Sequence, residues 1–277
     1  MNSSNIKNFL IVLFLGINIY LLGSLIISAD FRIDNEAVDS AVSVLKNNGI
    51  TVSRDIIPTE AKSLKNVDTQ NIIYKSDFYS GSEYKNFHIS GDSFTYSGKA
   101  SDLYSRSDKA ILREIKKFFG KVGFDTSFMQ FSDISDSGDT KKFDIYCSVH
   151  GYKFFDSVIH VSVTEKGFSA KGKWYEPQSK SINSNSKVRN TVYATGVLVE
   201  MIENEGIMSN VPFEVKKIEL GFLSGTLYGN SGHVAATGLP YYRITTNSGR
   251  QYYFDASDGS YDPSLDDITK SKMSPAL

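Results

Sequence analysis

The sequence predicts an α+β protein: a single N-terminal transmembrane helix followed by two tandem extracytoplasmic units, each a helix packed on an antiparallel β-meander. Three observations predict it. Residues 9–27 form an apolar run between Lys7 and Asp30. A stretch with helical apolar period, followed by segments of alternating apolar and polar residues, then occurs twice. Aromatic side chains make up 13% of the chain, with 16 Tyr and 18 Phe, enough to furnish strands and a core.

The apolar run sets the location of everything after it. A helix over 9–27 spans roughly 28 Å, close to the hydrocarbon thickness of a bilayer. A cleaved secretory signal is the competing reading, but such apolar regions usually run only about 7–15 residues. The anchor is expected to be retained, with residues 1–29 forming a short cytoplasmic tail and the span, and the body extracytoplasmic. Both readings put the body outside. Within the run, Asn18 is an amide at mid-depth, where an interhelical hydrogen bond contributes about 0.6–2 kcal/mol. Gly16 and Gly23 permit close approach, so Asn18, Gly16 and Gly23 are the candidate contacts to a transmembrane partner.

Residues 30–277 exceed the usual single core of about 100–150 residues, so two units are expected, 30–180 and 181–277. The polar, Ser- and Asn-rich stretch 177–186 marks the boundary. In the first unit, Asp34 caps a helix whose apolar face is Ala37, Val38, Ala41, Val42 and Leu45, stopped at Gly49. An extended piece covers 50–57; 59–84 lacks a clear period; 87–96 reads as a hairpin turning at Gly91-Asp92. Ser107 caps a second helix carrying Ile111, Leu112, Ile115, Phe118 and Phe119, ending at Gly120. Strands follow at 142–150, 157–164 and 168–175, with Phe143, Ile145, Cys147 and Val149 on the apolar face of the first. In the second unit, a helix over 187–204 presents Val188, Val192, Thr195, Val199 and Ile202, and strands follow at 213–223, 240–246 and 250–256.

The sequence assembles no reactive constellation. The net charge of −1 and pI near 6.4 exclude a basic nucleic-acid surface. With a turn at 152–156, His150 and His160 would face each other across a hairpin, yet no third metal ligand accompanies them, and exposed strand histidines are the plainer account. Cys147, the chain's one cysteine, falls on an apolar strand face, where a buried thiol is a poor nucleophile. The glycine-rich 225–232 lacks the Lys-Ser/Thr ending of a phosphate loop. Asp255, Asp258 and Asp262 lack EF-hand spacing. The reading is therefore non-enzymatic, with no metal and no cofactor. One alternative is a cell-surface domain that recognises a wall fragment or peptide, with Tyr241, Tyr242, Tyr252 and Tyr253 lining a groove.

Residues spread along nearly the whole chain resemble the YycI (WalI) family. They are the N-terminal helix with Asn18, Ile33-Asp34-x-Glu36-Ala37 through Leu45-Lys46-Asn47-Asn48-Gly49-Ile50, and Ile57-Pro58. Further on come Gly151-Tyr152-Lys153-Phe154-Phe155, Trp174-Tyr175-Glu176-Pro177, Ile218-Glu219-Leu220-Gly221-Phe222, Pro240-Tyr241-Tyr242-Arg243-Ile244 and Tyr253-Phe254-Asp255-Ala256. The chain departs from the family pattern at Lys153, where Pro is typical, at Tyr242, where Trp is, and at Asp255, where Asn is. The resemblance implies a single-pass membrane protein with a tandem α+β body and no catalysis. It further implies control of a WalK-like sensor histidine kinase in a cell-wall two-component system, together with a YycH-like companion.

Overall fold

In the computed structural model, residues 33–75, 78, 85–100, 102–178, 188–226 and 235–265 are described. The expected anchor, with Asn18, Gly16 and Gly23, lies outside them, as do most of the boundary stretch and residues 227–232 of the glycine-rich stretch. No helix among the described residues is long and apolar enough to cross a membrane.

Helix α1 (Asn35–Asn47) forms as its sequence dictates. The Asp34 carboxylate accepts the Ala37 N–H at 2.8 Å, Glu36 sits in the first turn and Lys46 in the last, matching the helix dipole. Gly49 then takes φ 81°, the left-handed conformation that ends the helix. The buried face is Val38, Ala41 and Leu45. After β1 (Ile50–Val52) and a 3-10 turn, the stretch without a period contains β2 (Ser63–Lys65) and β3 (Val67–Asn71). The hairpin β4 (Phe87–Ser90) and β5 (Ser93–Gly98) turns at Gly91-Asp92 as expected. Helix α2 (Asp108–Lys121) buries Ile111, Ile115 and Phe119; Ser107 holds the N-cap position, although its hydroxyl makes no capping bond.

Strands β6 (Met129–Phe131) and β7 (Ser135–Ser137) pair with β8 (Thr140–Val149), which pairs with β9 (Tyr152–Thr164). The β8–β9 turn falls at His150-Gly151, with φ 52° and 86°, and not at 152–156. Two positive φ values in a two-residue loop match the twist of the flanking strands. His150 therefore sits at the tip, and His160 lies opposite Asp144, so the two imidazoles never face each other. Strand β10 (Gly167–Gly172) continues the meander. The chain then leaves this sheet, and β11 (Tyr175–Pro177) pairs with β3 instead of extending β10.

The third helix is shorter than expected. Residues Val188–Asn190 form β12, antiparallel to β2, and α3 covers Ala194–Glu203, followed by the one-turn α4 (Glu205–Met208). Helix α3 buries Ala194, Thr195, Val197, Leu198 and Met201, whereas Val199 is exposed. Of the expected stripe, Thr195 is buried and Val192 and Ile202 pack on the core, while Val188 and Val199 are exposed; the stretch is apolar on more than one face, so periodicity alone finds only part of the buried side. The long strands β13 (Phe213–Thr226) and β14 (Ala235–Thr246) and the shorter β15 (Gln251–Asp255) complete a mixed sheet of 13 strands among the described residues.

Two large cores result. The first gathers α2, β4 to β6 and β8 to β10, from Leu64 to Trp174, with Phe222 joining it. The second gathers α1, β1, α3 and β13 to β15. Helix α1 and β1 thus join the second core, with β1 parallel to β13, although the sequence places them before the first. Their apolar face is satisfied by the helix and strands of the chain's other end.

Candidate functional site

The two halves of the sheet meet through a single rung, Phe154 of β9 beside Phe222 of β13, running parallel. Glycine makes this approach possible. A Cβ on Gly221 would lie 2.4 Å from the Lys153 carbonyl oxygen and 2.5 Å from the Phe155 ring. On the N-terminal side of the rung, 216–221 of β13 have no strand paired opposite β14 among the described residues, and a cleft of about 420 Å³ opens. It is lined by Pro58, Glu60 and Lys62 on one side, Gln130 and the β8–β9 hairpin from Gly151 to Lys153 on another, and Phe155, Glu219, Leu220 and Tyr242 at its base.

Charge is concentrated beneath this cleft. Glu219 and Arg243 are direct cross-strand partners on β13 and β14. Arg243, 4% exposed, donates from Nε at 3.1 Å and Nη2 at 2.6 Å to the Glu219 Oε2. Lys217 reaches Oε1 at 2.7 Å, and Lys153 stands 3.8 Å from the same oxygen. Burial alone would raise the Glu219 carboxyl, but Arg243 and Lys217 outweigh it and hold it below its usual value. Burial would lower Arg243, and Glu219 more than offsets this. Lys153 is pulled below its ordinary value by burial, partly countered by Glu219.

Aromatic faces support the cations. The Lys153 ammonium lies 4.6 Å from the Tyr146 ring centre, and the Arg243 guanidinium 4.3 Å from that of Phe155. Tyr146 donates to Asp144 at 3.1 Å, and burial together with Asp144 pushes its hydroxyl up to about 12. Asp144 also pairs with His160 Nδ1 at 2.6 Å. Across the rung, Asp156 accepts hydrogen bonds from the backbone N–H and hydroxyl of Ser224, tying β9 to β13. Burial raises its carboxyl to about 6.

The arrangement can hold a ligand and fix its charge, because the cations carry more charge than Glu219 cancels. The tyrosine groove does not form: Tyr242, Tyr252 and Tyr253 are 0–1% exposed, and Tyr242 alone among them reaches the cleft. A buried alternating strand pair places such rings in the core. Cys147 is fully buried, and its thiol is pushed well up by desolvation. Asp255, Asp258 and Asp262 each accept the backbone N–H of a serine two residues on, as local turns do. No group of three metal-ligating side chains occurs among the described residues. Sequence reasoning passed over Glu219 and Arg243. Their signal is opposite charges set inside apolar strands, Ile218-Glu219-Leu220 and Tyr242-Arg243-Ile244.

No protein-family model matches the chain, and no curated protein matches it by sequence. In structure it is similar to an uncharacterized protein from Eubacterium rectale ATCC 33656 solved at 1.45 Å, with 10% identity, a TM-score of 0.52, and coverage of 84% of this chain and 99% of that one. That likeness concerns the fold alone. A further similarity, to the Bacillus megaterium YpeB C-terminal domain, has 8% identity, covers 83% of this chain and 96% of that one, and reaches a TM-score of 0.31.

Proposed function

We propose that the chain is a non-enzymatic accessory regulator of a cell-envelope two-component system, of the YycI type. In this reading residues 9–27 anchor it as a single-pass protein with a cytoplasmic N-terminus, and the tandem α+β body lies outside. The anchor packs against the transmembrane helices of a WalK-like sensor histidine kinase through Asn18, Gly16 and Gly23. The body biases which packing is preferred, in company with a YycH-like protein.

The observation that carries the reading is how the N-terminal end of the body is tied down. Only 28–34 separate the apolar run from α1. Helix α1 is capped by Asp34, buried along Val38, Ala41 and Leu45, and followed at once by β1 paired to β13. The Ile33 N–H also donates to the Thr59 carbonyl at 2.9 Å. A change in the body is thereby delivered to Ile33, six residues after the apolar run. Three segments that carry the YycI resemblance, 151–155, 218–222 and 240–244, also meet around the single rung. Regulation of this kind needs a differential affinity of about 1–3 kcal/mol between two kinase states.

The test is crosslinking and co-purification from native membranes, comparing the full chain with a version in which 9–27 are replaced by an unrelated spanning helix. Recovery of a sensor kinase only with the native anchor is the expected result. Equal recovery with both moves the interaction to the body, and no kinase with either defeats the reading. Within the native anchor, Asn18→Leu is expected to lower kinase recovery by roughly threefold or more, the worth of one interhelical hydrogen bond.

A further inference from the structure

The cleft lies beside a stretch of β13 that has no paired strand on that side among the described residues. One edge of β13 is taken by β14 along its length, and the other by β1 at 213–215 and by β9 at Phe222. The stretch between has no paired strand among the described residues, and it narrows only where Gly221 meets β9. An unpaired strand edge presents donors and acceptors that an extended peptide can satisfy by adding a strand. At about 3.3 Å per residue, 216–220 give room for roughly four peptide residues. The cleft's volume, about 420 Å³, is that of a small-ligand site.

The side chains around this edge select one end of such a peptide. Arg243 and Lys217 hold Glu219 at 2.6 and 2.7 Å, so Lys153, at 3.8 Å and lining the cleft, is the cation least committed to it. Asp144 adds a negative charge nearby, but it is engaged by Tyr146 and His160. Facing the cleft from β6, Gln130 has a buried Oε1 with no hydrogen-bond partner among the described residues. A buried acceptor left unmade is costly, and a turn of the Gln130 amide toward the cleft would let a ligand N–H satisfy it. Pro58, Phe155 and Leu220 supply apolar walls for small side chains.

We propose that this cleft binds the C-terminal end of a short extended peptide, which adds to the edge of β13 left unpaired among the described residues, sets its carboxylate on Lys153 and donates an amide N–H to Gln130. The site stands on the fold and is independent of any kinase partner.

The full chain, labelled with nitrogen-15 in detergent micelles, is titrated with N-acetyl-trialanine, with its C-terminal amide and with acetate, while backbone amide shifts are followed. The acid is expected to move the amides of 216–220 and of Gln130 and Lys153, and to bind at least roughly tenfold more tightly than the amide, as a charge-assisted contact requires. Acetate at the same concentration is expected to move none of the 216–220 amides. In Lys153→Met the preference for acid over amide is expected to vanish while the weaker binding remains. Equal binding of acid and amide by the native chain, the same shifts with acetate, or no binding of the acid overturns the proposal. If Lys153→Met fails to fold, the contrast of acid and amide on the native chain decides alone.

Discussion

The two cores are built on opposite plans. The first is nearly continuous in sequence, from Leu64 to Trp174, and is crowded with rings: Phe78, Phe87, Phe94, Phe119 and Phe124 meet edge to face or tilted, with centroids 4.8–5.8 Å apart. The second joins 38–57 to 194–256 and is closed by α1 lying against α3. One core can assemble from neighbours; the other must wait for the chain's two ends. Short-range contacts cost less loop entropy, so the first core has what it needs to form early, and the second is the one exposed to events at the N-terminal end.

The sharpest way to break this comparison is a pair of truncations. Phe119→Ala, at a side chain with no solvent exposure, is expected to cost about 3–5 kcal/mol, and Leu45→Ala about 2–5 kcal/mol. Hydrogen exchange reads the difference. Leu45→Ala should strip protection from α3 and β15 while β8 to β10 keep theirs, and Phe119→Ala should do the reverse. Uniform loss of protection in both variants would mean that the cores unfold as one.

A smaller effect comes from Asp156 at the rung. Its carboxyl is raised from 3.8 to about 6 by burial, so the folded state favours the protonated form. The sign follows: this group's stabilisation is full below pH 3.8 and is lost as pH rises through about 6. The residue keeps some contact with solvent, so the loss between about pH 4 and pH 7 is expected to be about 1–2 kcal/mol rather than the full value of the shift. Urea midpoints across that range should show it in the native chain and not in Asp156→Asn. A native midpoint that this substitution leaves unchanged in its pH dependence would remove Asp156 from the account. Smallest is Asp34→Ala, which deletes the α1 cap at an expected cost of about 1 kcal/mol, and exchange should report it in α1 and β1 before anywhere in the first core.

What could be read from the sequence follows the same division. Helix α1 with its Asp34 cap, α2, the β4–β5 hairpin and the alternation of Phe143, Ile145, Cys147 and Val149 were legible because each is a local pattern. The pairing of β1 with β13, and of β3 with β14, joins residues more than 160 apart in sequence, and no local period encodes a partner. The β8–β9 turn was missed because its first residue is His150 in a left-handed conformation, a position where Asn or Gly is the usual sign. Of the site, Lys153, Glu219 and Arg243 stand in segments that carry the YycI resemblance, but their meeting depends on strand register, which becomes visible only once β13 and β14 are aligned.

The sealed position of Cys147 makes the chain easy to instrument. It is the sequence's one thiol, with no solvent exposure and a strongly suppressed thiolate. Thiol reagents need the thiolate within reach, so the native protein should be silent to maleimide labels. Two cysteines introduced on the surface, one beside the hairpin tip at Gly151 and one near Lys62, would be the only reactive pair, and a distance ruler attached to them would report how wide the cleft stands in the intact protein.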